Sequence, residues 1–265
     1  MLHTNEVFCW ITDQTGIATG RNPIDAHPKH LKVFSAVGWR MRQNAHPDLI
    51  ADFTSKERRV LRSLNTPAKI QDFLDKLPTN HEPDGDTCKS PLRVLRDGHA
   101  HCIEAAMLAA LCLRLLGQKA LLIDLTSDRS DQDHVLAVFK EHGCWGAIAK
   151  SNHHALGYRD PIYRTLRELT ATYVHEYLNY DGKKTLRSWA GPLDLKRFDN
   201  SGWTNSEKDL WFVPQALISI PHHDFMTRQQ AKRLRPADQF QRAMSNVKRD
   251  NPDTLRVVPF TRSAR

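Results

Sequence analysis

Over residues 102–116 the chain reads CIEAAMLAALCLRLL, with apolar residues around nearly the whole circumference of a helix. A helix that is apolar on all sides is buried at the centre of a domain, and Gly117 closes it with a residue that tolerates a left-handed cap. Three short apolar runs follow, KALLIDL, HVLAVF and CWGAIA, separated by the polar stretches SDRSDQD and KEHG. Runs of that length between turn residues predict three strands of an antiparallel sheet. Upstream, Thr54 and Glu57 match a capping box that opens a helix through KERRVLRSL. Thr66-Pro67 starts another through AKIQDFLDKL, whose Ile70, Phe73, Leu74 and Leu77 recur at three- and four-residue steps along one buried face.

The remaining segments are less periodic. Residues 1–50 hold Phe8, Trp10, Phe34 and Trp39 among Gly, Pro and His, and predict short strands or irregular structure. TNHEPDGDTCKS and KSNHHALGYRDPIY have loop composition, TLRELTATYVHEYLNY predicts a helix, and LRSWAGPLDLKRF an irregular stretch. A further helix is expected over 206–220, kinked or divided at Pro214, and a last one in DFMTRQQAKRLR. The predicted class is α+β: a central helix packed on an antiparallel sheet, with extra helices at both ends. The predicted division is an N-terminal elaboration (1–50), a core domain (51–200) and a helical extension with a basic tail (201–265).

With 265 residues, 40% apolar and 26% charged, the chain has the size and balance of a globular domain with a full core. No apolar run approaches the ~20 residues that span a bilayer, so no membrane association is expected. The first residues lack the basic-then-apolar pattern of a secretory signal, and a cytoplasmic location is expected. Five cysteines without a CxxC spacing suit a reducing compartment rather than a disulfide framework. The net charge of +8 is uneven: residues 227–265 carry ten Lys/Arg against three Asp, a net of +7. Such a tail can hold a polyanion, but with only Phe240 and Phe260 as aromatics it matches no nucleic-acid motif.

The candidate chemistry lies where the polar DGHAH meets the apolar helix, at Cys102. A thiol in a helix's first turn feels the positive end of the dipole, which favours the attacking thiolate. His134 opens the second expected strand and supplies a base, while Asp160, in RDP, supplies an acid to orient the imidazole. Asn152 is the alternative orienting group, and the backbone N–H of Cys102 a candidate oxyanion donor.

GHAHCIEAAMLAALCLRLLGQKALLIDL, DHVLAVF, GCWGAIA and RDP resemble, in type and order, the transglutaminase-like superfamily of papain-fold thiol proteins. The resemblance covers about residues 95–165. It implies a Cys102–His134–Asp160 triad performing acyl transfer or amide hydrolysis on a protein or peptide substrate, with no cofactor. This chain departs from the family's pattern after Trp145, where GAIAKSN stands and the acid comes later. A non-catalytic binding protein on the same fold, with the basic tail as partner-binding arm, is the competing expectation.

Other polar groups fit plainer roles. Cys88, His99, His101 and Cys102 contain zinc-type ligands but match no standard spacing, so no metal is expected. His99 or His101 could tune Cys102 as a partial cation. The tandem pairs His153-His154 and His222-His223 point apart in an extended chain. Lys150, Ser151 and Asn152 form a polar cluster at a strand end where a substrate carbonyl could sit, and Arg159 flanks Asp160.

Overall fold

The computed structural model describes residues 47–245 and Val247. Of the N-terminal elaboration only a 3-10 turn at Pro47–Ile50 lies among them, and the tail beyond Val247 lies outside. Helix α1 (Ser55–Ser63) has its capping box, with Glu57 N donating to Thr54 Oγ1 at 3.3 Å and Thr54 N to Glu57 Oε2 at 2.6 Å. Helix α2 (Pro67–Lys76) begins on the Thr66 hydroxyl with Pro67 at its first position. A short helix α3 (Pro91–Asp97) repeats that signature at Ser90-Pro91 and ends at Gly98, whose φ of 72° is left-handed. Helix α4 (Cys102–Leu115) then runs through the centre; every residue from Ile103 to Leu115 is buried.

The sheet that α4 packs against has six antiparallel strands. They are β1 (Leu121–Ser127), β2 (His134–Glu141), β3 (Cys144–Ile148), β4 (Arg159–Tyr163), β5 (Leu186–Asp194) and β6 (His222–Asp224), in the order β4-β3-β2-β1-β5-β6. Strand alternation divides the core in two. Leu122, Val135, Ala137 and Phe139 face the layer of α2, α3 and α4, together with α6 (Phe212–Ser219). Ile123, Leu125, Leu136 and Val138 face the opposite layer, formed by α5 (Leu166–Ala171) and the turns after it, which contribute Leu169, Tyr173 and Tyr177. Two short helices, α7 (Arg228–Lys232) and α8 (Gln239–Ser245), complete the described chain. None of the described helices is long and apolar enough to cross a membrane.

Three segments differ from expectation. RDPIY is strand β4, on the sheet edge where a proline costs no ladder bond. LRSWAGPLD is the nine-residue strand β5 rather than irregular chain. Its irregular composition is absorbed by a register shift on β1 between Leu122 and Asp124, opposite Gly191-Pro192. Gly191 has φ +120° and lies so close to β1 that a Cβ would stand 2.8 Å from the Leu122 carbonyl oxygen. Pro214 does not divide a helix: it is the third residue of α6, in the first turn, where no intrahelical donor is needed.

Candidate active site

Cys102 is the first residue of α4 and His134 the first of β2, and the fold brings their side chains into hydrogen-bond contact. The half-buried thiol is also hydrogen-bonded to the ring of His101. Burial pushes the Cys102 thiol up. The bonds from His101 and His134, with the charge of both rings, outweigh it and hold the thiol down at about 5. Cys88 and Cys112, which have no such partners, are pushed up to about 12, chiefly by burial.

The ring nitrogens can be assigned by what they face. His134 Nε2 lies 3.3 Å from the Leu156 carbonyl oxygen, which can only accept, so Nε2 carries the proton and Nδ1 is left for the thiol. His101 Nε2 lies 3.0 Å from the Thr87 carbonyl oxygen and 3.4 Å from both Glu82 Oε1 and Glu104 Oε1. Burial works against a charge on this ring, but its bond to Cys102 and the nearby Glu104 raise it to about 9. His101 is therefore an imidazolium at neutral pH.

Glu104 organises this side of the site. Its fully buried carboxylate accepts from Thr87 Oγ1 (2.8 Å), Lys89 N (3.0 Å), His101 N (3.0 Å) and Asn80 Nδ2 (3.2 Å). Those bonds tie the loop before α3 to the first turn of α4 and fix the ring of His101 above the thiol. Sequence reasoning gave Glu104 no role; its position three residues after His101, where its carboxylate can accept from the N-cap N–H, was the available signal.

Asp160 does not join Cys102 and His134. It stands exposed on β4, where alternation turns Arg159 toward Thr172, with Nε donating to its hydroxyl at 3.1 Å, and Asp160 the other way. The chain between β3 and β4 forms a 3-10 turn at His154–Leu156, and this turn delivers the Leu156 carbonyl to the place expected for an acid. Arg159 acts on the site through that turn: Nη2 donates to the Ala155 carbonyl (2.9 Å) and to Glu176 (2.6 Å), and the guanidinium lies over the Tyr173 ring. Asn152, the alternative, lines the cleft beside Cys102 and His134.

That cleft has a volume of about 430 Å³, with His101, Cys102 and His134 in its wall and Asn80, Lys150 and Tyr177 among its other lining residues. Lys150 is buried; its Nζ donates to the carbonyls of Leu74 (3.2 Å) and Leu77 (2.5 Å), capping α2. The metal-type residues do not converge: the Cys88 thiol faces the Leu210 carbonyl, and the His99 ring is held by Lys89 Nζ at 2.8 Å and the Asp97 carbonyl. Among the described residues no cluster of three or more His, Cys, Asp or Glu is placed to hold a metal ion. Of the tandem histidines, His222 and His223 diverge as expected, His222 toward Thr126 and His223 onto the Trp189 ring.

Asp124, buried on β1, is a further titratable group near the thiol. Burial raises its carboxyl to about 6, against the hydrogen bond from Thr126 Oγ1 at 2.8 Å, and the Asp133 and Cys102 charges add to the rise. The folded protein thus holds this proton more tightly than the unfolded chain, and Asp124 costs stability as pH rises from about 4 through about 6. Asp124→Asn is expected to raise the melting temperature at pH 8, by up to about 2 kcal/mol of stability, and to leave it unchanged at pH 4. Thermal denaturation at the two pH values checks this; an equal effect at both removes the titration as its cause.

Comparison with protein-family models and with the curated proteins returns no match to this chain.

Proposed function

We propose that this protein is a transglutaminase-like thiol enzyme that performs acyl transfer or amide hydrolysis through Cys102. The observation that carries the reading is the thiol held between two imidazoles at the mouth of a cleft, with its pKa at about 5. The order of a helix-borne cysteine, a strand-borne histidine and a following Trp strand agrees with the family's arrangement.

In the first half-reaction the Cys102 thiolate attacks the carbonyl carbon of a protein or peptide amide. The negative charge passes to the carbonyl oxygen, which the backbone N–H of Cys102 and the positive end of α4 stabilise. The tetrahedral adduct collapses, the C–N bond breaks, and the leaving amine takes from His134 Nδ1 the proton that the thiol gave to that ring. In the second half, His134 Nδ1 removes a proton from water or an incoming amine as it attacks the thioester. The acid or new amide departs and the thiolate is restored. The orienting group for His134 is the Leu156 carbonyl, which fixes the tautomer without adding a negative charge.

The test is an acyl-enzyme trap. With p-nitrophenyl acetate, intact-mass measurement is expected to show acetylation of Cys102 that turns over in the parent chain and accumulates in His134→Gln. Cys102→Ser should take up no acetyl group. A parent chain in which Cys102 is acylated no faster than Cys88 or Cys112 leaves the binding-protein reading in its place; the thiol pKa values predict a preference of at least about a hundredfold at pH 7.

A further inference from the structure

Four carboxylates stand in the wall of the cleft, and they come from three separate stretches of chain. Glu82 belongs to the loop before α3, Asp131 and Asp133 to the connection between β1 and β2, and Glu176 to the turns after α5. The fold, not a local run of acidic residues, gathers them around Cys102. Glu176 is paired with Arg159 at 2.6 Å and counts least. Glu82 Oε1 accepts from Thr87 N at 2.7 Å and lies 3.4 Å from His101 Nε2. Asp131 and Asp133 have only neutral donors: Asp131 Oδ2 accepts from the Thr185 hydroxyl at 2.6 Å, and Asp133 Oδ1 from Ser127 N at 2.7 Å. Those bonds hold both carboxylates in place without neutralising them. The cations of the cleft are committed elsewhere. The His101 imidazolium is matched by the Cys102 thiolate, and Lys150 is buried with its ammonium on the carbonyls of Leu74 and Leu77. No arginine is among the described residues that line the cleft.

Asp131 and Asp133 do not serve the activation of Cys102, because a negative neighbour works against a thiolate. They are nevertheless close to it: the Tyr177 phenol, which lines the cleft, is pushed up first by burial and then by the charges of Asp131, Cys102 and Asp133 together. Tyr180 lines the same cleft and is 85% exposed, which offers an aromatic face to a cation. A concave wall of one sign focuses its field on whatever enters, so fixed, unbalanced carboxylates select a positive group and turn away a negative one. We propose that the acyl donor taken by this site is a cationic polypeptide segment, with Lys or Arg beside the attacked amide and its charged group held by Asp131 and Asp133. The two aspartates then determine specificity, while Cys102 and His134 carry the chemistry. This substrate class rests on the reading of Cys102 as an acyl-accepting nucleophile.

The test compares the p-nitrophenyl esters of Nα-acetyl-lysine, Nα-acetyl-norleucine and Nα-acetyl-glutamate on the full chain, with the rate in Cys102→Ser subtracted. At about 0.1 M ionic strength the lysine ester should acylate Cys102 about tenfold faster than the norleucine ester, which has a neutral chain of similar length, and the glutamate ester more slowly than either. The lysine preference should shrink to about twofold at 1 M, where the screening length falls to about 3 Å. It should shrink to a similar ratio at low salt in Asp131→Asn/Asp133→Asn, which removes both charges and leaves an oxygen acceptor at each position. The salt series needs no variant, so it decides the matter even if the double variant does not fold. Equal rates for the lysine and norleucine esters at low salt overturn the proposal. So does a lysine preference that survives both high salt and the double variant, since its source would then lie away from these carboxylates. A second readout is independent of acylation: fluorescence anisotropy of coumarin-labelled pentalysine, with pentaglutamine as the neutral control. Pentalysine should bind at least about tenfold more tightly than pentaglutamine in the parent chain and lose that margin in Asp131→Asn/Asp133→Asn. Should no ester acylate Cys102 in any chain, the enzyme reading falls and pentalysine binding still decides whether the cleft selects a cationic segment; equal binding of the two peptides overturns that selection.

Discussion

Replacing His101 by alanine is expected to raise the pH at which Cys102 becomes alkylatable by one to two units from its position near 5, about a five- to fiftyfold loss of rate at pH 5. The thiol is buried enough that desolvation alone would leave it protonated at neutral pH, and only the two imidazoles reverse this. They do so differently. His101 keeps its proton to about pH 9 and so offers the thiolate a fixed positive neighbour. His134, its Nε2 held by the Leu156 carbonyl, turns Nδ1 to the thiol and is the ring that takes and returns a proton. His134→Ala is therefore expected to shift the alkylation inflection upward as well, and to stop deacylation of the acetyl enzyme. His101→Ala should slow acylation while still permitting deacylation. In the double variant the inflection should pass above that of an ordinary cysteine, about 8.5, because burial is then unopposed. Alkylation of each variant across pH 4 to 9, followed by peptide mass spectrometry, reads all three values. An unchanged inflection in His101→Ala would remove this ring from the site's electrostatics.

Glu104→Ala is expected to cost about 3 to 5 kcal/mol of stability, the range for breaking a buried, fully paired charge network. The carboxylate has no solvent contact and accepts from two backbone N–H groups, a hydroxyl and an amide. Alanine would take the acceptor from the Lys89 and His101 N–H groups, while Thr87 Oγ1 keeps Glu82 and Asn80 Nδ2 keeps Thr87, so the loss exceeds that of the carboxylate's own packing. A domain of this size loses about 2 to 4 °C in melting temperature per kcal/mol, so the transition should fall by about 10 °C. The same change removes one of the two carboxylates beside His101, and the alkylation inflection of Cys102 should rise in the protein that remains folded. Thermal denaturation and alkylation thus read one residue on two scales. A stable variant with an unmoved inflection would show that the loop before α3 is held by other contacts.

The position of Cys102 was legible because every local signal agrees: a polar run, an apolar helix and a glycine stop leave little choice of where the helix begins. The first three strands were legible for the same reason, since alternating turn residues bracket short apolar runs. Strand β5 was not, because Gly191 and Pro192 are poor strand formers in isolation and are tolerated only by a register shift on β1. Asp160 was misplaced for a related reason. Its Asp-Pro context suggests an acid in a loop, whereas pairing with β3 makes it an exposed edge-strand residue.

Local sequence thus determined a thiol at the start of a buried helix, a histidine at the start of a strand and an α+β order, because caps, periodicity and turns act over a few residues. Tertiary structure alone decided that His101 and His134 both reach that thiol and that a backbone carbonyl from Leu156, not a carboxylate, holds the base. It also decided that Glu104 lies at the centre of the loop's hydrogen bonds. Those outcomes depend on contacts between segments far apart in the chain, and no property of one segment carries information about which partner the others leave exposed to it.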